Sequence, residues 1–286
     1  MNRLAVACLA TLLTVSAVAH AQTAPPDAAA PPAAAAFSAS QWSEVLGGAW
    51  RPAANRARDV YRHPEATLTF FGFRPGETVI EIAPSPGWYS EILAPLLRDN
   101  GRYIAAQQLA AGGESTELAR ALAQKFAADP ACYGAASIVS YDAKAPTFGP
   151  PGSADLVLTF RNVHNWTKAG TAEAMFKAFY AVLRPGGTLG VVDHRAAPGT
   201  SMDAANESGY LPVAYLTKLA TDAGFVLAGS SEINANPKDV KHYPKGVWTL
   251  PPTLALGEQD RQKYLAIGES DRMTLRFVKP AAPAGQ

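Results

Sequence analysis

The stretch that decides the fold is Thr78–Ser90, which reads TVIEIAPSPGWYS. Its first residues, with Val79, Ile80 and Ile82, predict a buried strand that carries a single acid, Glu81. A loop of small residues and prolines follows, and a helix begins after it. A strand, a small-residue loop and a helix N-terminus in this order form a ligand cradle at the edge of a parallel sheet. A tight strand-to-helix turn without a ligand is the alternative.

The pattern around this stretch extends the same fold. From Glu65 onward strands and helices alternate, which is typical of a parallel sheet covered by helices on both faces. The strands are predicted at residues 79–83, 102–107, 136–140, 154–160 and 188–193, with a terminal antiparallel pair at 225–233 and 273–278. The helices are predicted at residues 88–98, 116–128, 171–183 and 211–223. The sequence therefore predicts an α/β fold with a seven-stranded, mostly parallel sheet whose last strand is antiparallel.

The loop after the first strand has an unusual composition. Ala83, Ser85 and Gly87 alternate with Pro84 and Pro86. Glycine permits a positive φ and a close approach to a ligand, and alanine and serine are the next smallest residues. The two prolines fix φ near −65° and remove two amide donors, so we expect a stiff loop with few N–H groups to offer.

Several segments in order resemble class I S-adenosylmethionine (SAM)-dependent methyltransferases. EIAPSPG (81–87) stands where the family has an acid followed by G-x-G-x-G, and DLVLTFRNVHNW (155–166) contains the F-x-x-R-N-V run of quinone-biosynthesis methyltransferases. The other matching segments are MFKAFYAVLRPGG (175–187), TLGVVDHR (188–195) and, as the last strand, DRMTLRFVKP (271–280). The resemblance covers about residues 70–280 and is closest to predicted bacterial methyltransferases with a secretion signal. It implies a Rossmann-like sheet and methyl transfer from SAM to an oxygen or nitrogen of a small-molecule acceptor.

The resemblance also implies cofactor-binding residues. They are Glu81, Ala83, Pro84, Ser85, Gly87, Gln107, Gln108, Asp142 and, where the fourth-strand loop closes on the cofactor, Arg161 and Asn162. Glu81 matches the acid that organises the loop and the methionine end of SAM. Gln107 and Gln108 stand where the family has an acid for the ribose hydroxyls, so hydrogen bonds without charge assistance are expected there. Asp142 matches the acid that accepts from the adenine amino group.

Three residues are candidates for catalysis. His164, Asp193 and His194 fall at the carboxyl ends of adjacent predicted strands, where open α/β sheets place their sites. An imidazole there can take the proton of an acceptor O–H or N–H, although a packed or capping histidine is the alternative. Asp193 and His194 are neighbours on a strand and point to opposite faces, so they act on one atom only if the strand has ended. A metal site built from the three lacks a spacing motif, and we expect none.

The N-terminus predicts export. Residues 1–21 have a positive residue, Arg3, an apolar run over 4–18 and a small-x-small end at 19–21, which indicates a signal peptide cut after Ala21. The expected location is periplasmic or secreted, with no stable membrane insertion after cleavage; a retained N-terminal anchor is the alternative. An Ala/Pro-rich linker is expected over 22–36.

The remaining chain is divided into three parts by its composition. Residues 37–64 predict a helical segment or lid, in which Trp42, Val45, Leu46 and Trp50 have helical spacing and serve for packing or, alternatively, as a ligand box. Residues 65–280 form the methyltransferase-like domain, and 281–286 form a disordered tail. Within the domain, the long connection at 234–271 is expected to be functional or ordered against the core, and its His242 and Tyr243 lie on the substrate side or in a solvated loop.

Charge and cysteine content exclude some functions. The chain of 286 residues is 48% hydrophobic and 17% charged, with a formal charge of +1 that becomes neutral once Arg3 is removed. No basic field is present to recruit nucleic acid or an anionic membrane. Cys8 leaves with the signal peptide, so Cys132 remains without a disulfide partner and is expected to be a buried small hydrophobe. A small-molecule substrate is therefore the expected partner.

Two other functions remain open on these residues. A secreted binding protein that keeps the methyltransferase fold without catalysis is indicated by the depleted glycine loop, by Gln107 and by export away from the cytoplasm, where SAM is made. A hydrolase or metal-dependent enzyme that uses His164 and Asp193 is the third reading.

Overall fold

A computed structural model describes residues 35–281. The predicted signal peptide, the linker up to residue 34 and the tail from residue 282 lie outside the described residues. The strands are β1 (Thr78–Ile82), β2 (Arg102–Gln108), β3 (Ser137–Tyr141), β4 (Ala154–Phe160), β5 (Leu183–His194), β6 (Val226–Ser231) and β7 (Arg272–Val278).

The helices before β4 are α1 (Ala39–Gly47), α2 (Ala53–Arg56), α3 (Asp59–Arg62), α4 (Pro64–Phe70), α5 (Ser90–Leu97), α6 (Glu117–Ala128) and α7 (Pro130–Tyr133). Those after it are α8 (Val163–Lys168), α9 (Ala172–Val182), α10 (Met202–Ser208), α11 (Val213–Asp222) and α12 (Arg261–Ile267), with a 3-10 turn at Gly246–Thr249. Among these described helices, none is both long enough and apolar enough to cross a bilayer.

The seven strands form one sheet in the order β3-β2-β1-β4-β5-β7-β6. The pairs from β3 to β5 are parallel, and β7 is antiparallel to both β5 and β6. The predicted α/β fold, including its antiparallel last strand, is confirmed. Strand order reverses between β1 and β4, and in open α/β sheets ligands bind in the crevice outside the carboxyl ends of the strands at such a point.

Hydrophobic residues fill both faces of the sheet. Ile80 and Val157 point into one cluster and Val79 and Leu156 into the other, because successive side chains on a strand alternate between faces. All four are essentially inaccessible to solvent. The central strands are therefore held from both sides, and Cys132 is buried in the second cluster as a small hydrophobe.

The N-terminal helices belong to this core. Ser38 begins α1 with a capping box to Gln41, and the buried Trp42 packs with Phe73 in the cluster that covers one face of the sheet. The Trp50 indole donates to the Glu91 backbone carbonyl over 2.9 Å. The aromatic stripe is therefore packing, and it fixes the segment against α5.

The fifth strand begins earlier than the sequence predicts. Ala154 pairs with Leu183, and the register then shifts so that Leu156 pairs with Thr188. The extra residues form a bulge, in which the Gly186 amide donates to the carbonyl of Lys279. Residues 184–187 thus end α9, as predicted, and they also continue the sheet.

Charged groups order the long connection between β6 and β7. Arg195, just after β5, forms ion pairs with Asp271 at 2.9 Å and Glu232 at 2.7 Å. Lys241 pairs with Asp271 at 2.6 Å, and Asp239 accepts from the Asp271 amide at 2.7 Å. The connection is therefore ordered against the carboxyl ends of the strands, and it contains α12 and the 3-10 turn, which the sequence did not predict.

Replacement of Trp42 tests the role of the N-terminal helices. Trp42→Ala removes a buried indole, and we expect it to lower the free energy of unfolding by about 3–5 kcal/mol in urea denaturation. Val60→Ala is the control, because Val60 is 68% exposed and its truncation is expected to change stability by less than about 0.5 kcal/mol. If Trp42→Ala lowers the free energy of unfolding as little as Val60→Ala does, the N-terminal helices are not part of the core.

Candidate active site

The loop between β1 and α5 has three residues in the left-handed region. They are Ala83 (φ 48°), Ser85 (φ 57°) and Gly87 (φ 85°), the three positions of the glycine pattern. For alanine and serine this conformation costs on the order of 1–3 kcal/mol each, and such strain persists only where the surroundings over-determine it. The loop therefore keeps a glycine-loop backbone without two of the glycines.

Hydrogen bonds from both neighbouring strands hold the loop. The Ala83 amide donates to Ala106 in β2 at 2.8 Å, and the Asn162 side chain, just after β4, donates to Ile82 at 3.0 Å. The buried Gln107 side chain donates to the Ser85 carbonyl at 3.4 Å. These contacts fix the strained backbone at the switch point of the sheet.

A cavity of about 220 Å³ lies against this loop and is called the loop cavity. Its lining comes from α3 and the residue before it, from the loop, and from the end of β4. The lining residues are Arg58, Arg62, Glu81, Ala83, Pro84, Ser85, Pro86, Trp88, Tyr89, Phe160, Arg161, Asn162 and Asn165. Six of the ten predicted cofactor residues are thus brought together.

Glu81 is the buried acid of the loop cavity. Its carboxylate accepts from the Tyr103 hydroxyl at 2.6 Å and from the Ser90 hydroxyl at 3.4 Å. Burial raises the pKa of Glu81 to about 7, against the opposing effect of these two hydrogen bonds. Near neutral pH this acid therefore exists in both protonation states.

Arginines line the opposite wall of the loop cavity. Arg58 and Arg62 both contact the buried carboxylate of Glu269, at 2.6 Å and 3.4 Å. Burial, together with repulsion from Arg161, lowers the pKa of Arg62 to about 10. Arg161 itself has a left-handed backbone (φ 63°), and its guanidinium has no hydrogen bond or ion pair with any described residue.

A second cavity, of about 150 Å³, adjoins the first and is called the histidine cavity. Its lining comes from the end of β4, the start of α8, the end of β5 and the segment around the 3-10 turn. The lining residues are Arg161, His164, Asn165, His194, Val247, Trp248, Pro251, Pro252 and Thr253. Arg161 and Asn165 line both cavities.

Two of the candidate catalytic residues, His164 and His194, line the histidine cavity, and the third, Asp193, is buried in contact with them. The His164 Nδ1 lies 2.8 Å from Asp193 Oδ1, and the same oxygen accepts from the His194 amide at 2.7 Å. β5 ends at His194, so the Asp193 carboxylate can reach both histidines, which is the exception that the sequence left open. His194 Nδ1 lies 2.6 Å from the Ser270 hydroxyl, and burial, followed by repulsion from His164 and nearby arginines, lowers its pKa well below the usual value.

Ligand atoms of His164, Asp193 and His194 lie within 4.8 Å of one another, which is compatible with a metal ion. Asp193 Oδ1, however, already bonds the His164 ring and the His194 amide, and Oδ2 accepts from the His164 amide at 3.3 Å. This arrangement is a carboxylate–imidazole pair, and the expectation of no metal stays a prediction.

Four predicted cofactor residues lie outside the cavity lining. Gln107 is buried against the loop, Gln108 is exposed, and the Asp142 carboxylate accepts from the Lys144 amide at 2.9 Å. Gly87 lies at the turn into α5, where an added Cβ would come within 2.6 Å of Leu122. Their assignment to the cofactor stays a prediction.

Sequence reasoning missed the arginines from the N-terminal helices. Arg58 and Arg62 are four residues apart in a predicted helix, a spacing that puts two side chains on one face. This spacing indicated that the two arginines lie on one helix face, but it does not indicate which cavity that face lines. Ser270 and Glu269 come from the far end of the chain and carry no local signal.

Comparison with solved structures identifies the architecture. A SAM-dependent methyltransferase from Aquifex aeolicus superposes with a TM-score of 0.53 at 13% identity, covering 82% of this chain and 96% of that chain. The fold is that of SAM-dependent methyltransferases. A putative sarcosine dimethylglycine methyltransferase from Galdieria sulphuraria gives a TM-score of 0.55 at 11% identity, covering 79% and 86% of the two chains.

The methyltransferase fold alone does not determine the reaction. The [4+2]-cyclase SpnF also superposes, with a TM-score of 0.53 at 16% identity, covering 77% of this chain and 81% of that chain. Neither protein-family models nor curated proteins match this sequence. Function must therefore be argued from the site.

The residues of the loop cavity fit the amino-acid end of SAM. The Nη2 atoms of Arg58 and Arg62 are buried and without a hydrogen-bond partner among the described residues, which suits a carboxylate. Glu81 is an acid within the same cavity. Gln107, which the sequence resemblance predicts to bind the ribose, keeps its amide oxygen as an acceptor without charge.

The pKa of Glu81 predicts a pH-dependent stability. Since the folded-state pKa is raised from 4.5 to about 7, the folded protein holds a proton that the unfolded chain releases between these values. This stabilisation is complete below pH 4.5 and is lost as the pH rises through 7.

Urea denaturation of wild type and Glu81→Gln between pH 4.5 and 7.5 measures this effect. We expect wild type to lose roughly 3 kcal/mol relative to Glu81→Gln over this range. Glu77, whose pKa burial also raises to about 7, titrates in both proteins and cancels. Parallel pH profiles for the two proteins would contradict a raised pKa of Glu81.

Proposed function

We propose that this protein transfers a methyl group from SAM to an oxygen or nitrogen of a small-molecule acceptor. The observation that carries the proposal is the junction of two cavities at Arg161 and Asn165. One cavity lies on the strained loop at the switch point of the sheet, and the other holds an imidazole backed by a carboxylate. A donor in the loop cavity would therefore adjoin an acceptor in the histidine cavity.

SAM, if bound in the loop cavity, would supply an electrophilic methyl group, which the acceptor lone pair would take while S-adenosylhomocysteine leaves. The residues of this chain orient the acceptor and receive its proton. In the tautomer whose Nδ1–H donates to Asp193, the Nε2 lone pair of His164 is left to take the proton from the acceptor. Asp193 holds the tautomer and stabilises the imidazolium that forms.

Other groups of the histidine cavity limit its positive charge and shape its wall. His194 is neutral near pH 7, because its pKa is lowered, so it adds no second cation beside the imidazolium. The Trp248 ring lies 6.1 Å from the His164 ring, and Pro251 and Pro252 complete an apolar wall. Since methyl transfer depends mainly on alignment, these walls contribute by fixing the acceptor.

Calorimetric titration with SAM and S-adenosylhomocysteine tests the donor site. We expect binding to wild type, and at least tenfold weaker binding to Ser85→Leu, whose larger side chain enters the loop cavity. Ser230→Leu is the matched control on the edge strand β6, and it should bind as wild type does. No binding to wild type at millimolar SAM would refute the proposal.

A non-catalytic binding role is the second candidate. It is favoured by the neutral Gln107 at the ribose position and by its hydrogen bond to the loop. The two roles differ in the release of S-adenosylhomocysteine, which can be measured in a screen of acceptors. A methyltransferase releases it with a suitable acceptor, whereas a binding protein releases none even where SAM binds.

We also propose that the protein is exported, on the basis of the charged start, apolar run and small-x-small end of residues 1–21. Mass spectrometry of protein purified from its native cells should give an N-terminus at Gln22. A chain that retains residues 1–21 would contradict cleavage.

A further inference from the structure

The loop cavity carries an excess of positive charge. Arg58 and Arg62 of its lining share one buried carboxylate, that of Glu269, at 2.6 and 3.4 Å, and Arg272, which lies outside the lining, contacts the same carboxylate at 3.2 Å. Arg161, which is partly exposed, adds a fourth guanidinium without a side-chain partner among the described residues. Burial of an unpaired charge is costly unless a ligand of opposite charge is present.

Besides Glu269 and Asp193, whose negative charges act on Arg161, few groups offset this positive charge. Glu81 is divided between its protonated and ionised forms near pH 7, and its carboxylate is engaged by Tyr103 and Ser90. The buried Nη2 atoms of Arg58 and Arg62, which have no partner among the described residues, are the donors that suit the SAM carboxylate, so Arg161 is the guanidinium left for another ligand. A guanidinium of this kind suits an oxyanion, which it can bind through two parallel N–H groups.

Arg161 is held in a position that serves both cavities. Its backbone is left-handed, and its amide donates to the Val192 carbonyl at 2.7 Å, so the residue is fixed between β4 and β5. It is one of two residues that line both cavities, and it is the only charged one. A group bound to Arg161 can therefore extend toward His164.

SAM does not neutralise this cluster. Its single carboxylate is accompanied by an ammonium and a sulfonium, so the molecule is a net cation. The arginines can hold that carboxylate, but the excess positive charge remains and opposes the sulfonium. A second ligand with negative charge resolves this conflict.

We propose that the acceptor is an anionic small molecule whose phosphate or carboxylate binds Arg161, the guanidinium that lines both cavities, while its reacting atom lies in the histidine cavity. This inference rests on the proposed methyl transfer for the acceptor role. The binding of an oxyanion can nevertheless be measured without SAM.

The experiment uses inorganic phosphate and malonate as probes. Each is titrated calorimetrically into the purified protein, against sodium chloride at equal ionic strength, with and without SAM. The variants are Arg161→Gln and Arg161→Asn, the latter because asparagine tolerates a left-handed backbone. Arg98→Gln is the control, since Arg98 is exposed and pairs with Asp99 on the surface.

We expect one or both probes to bind wild type and Arg98→Gln equally, and to bind the Arg161 variants at least tenfold more weakly at an unchanged melting temperature. A preference for phosphate would indicate a phosphorylated acceptor, and a preference for malonate a carboxylic one. Absence of specific binding, or equal binding to the Arg161 variants, would overturn the inference, even where SAM binds. Probe binding without SAM binding would overturn the acceptor role and, with it, the proposed function.

Discussion

The turn from β1 into α5 is the constraint on which the site depends. Two prolines alternate with three left-handed residues, so the backbone has little freedom, and Ala83 and Ser85 occupy it at a cost. The structure offsets this strain with bonds from β2 and from Asn162, and with a helix that begins only after Gly87 has turned the chain. A turn held in this way leaves a fixed cavity at the place where the strand order of the sheet reverses.

Ion pairs are the second organising feature, and they connect the N-terminal helices with the segment just before β7. Glu269, just before β7, contacts Arg62 of α3 and Arg58 before it, so a residue far along the chain holds two guanidinium groups of the loop cavity in place. In the neighbouring cavity, Asp193 holds His164 while His194 stays neutral. The loop cavity is therefore lined by several guanidinium groups, and the histidine cavity offers a proton acceptor. Arg161 borders both, and this juxtaposition is the physical basis for both proposals.

Much of the fold was accessible from sequence because the strands are short apolar runs separated by turn residues. Residues 154–160 were predicted with their observed bounds, since a strand buried on both faces has an unambiguous pattern. β5 was predicted to start at Thr188, because the proline and two glycines at 185–187 do not indicate a strand. The bulge at 184–187 forms through pairing with neighbouring strands, which the local sequence does not specify. α8, α10 and α12 are each only six or seven residues long, too short for a clear helical period.

The sequence by itself determined that this chain builds an α/β sheet with a small-residue loop after its first strand, and that His164, Asp193 and His194 lie at strand ends. Hydrophobic periodicity and turn chemistry are local, so they can be read along the chain. Only the tertiary structure decided that Ala83 and Ser85 adopt the glycine conformation, that Asp193 turns back to His164, and that Arg58, Arg62 and Arg161 face one cavity. These features depend on contacts between residues far apart in sequence, and local pattern carries no information about such contacts.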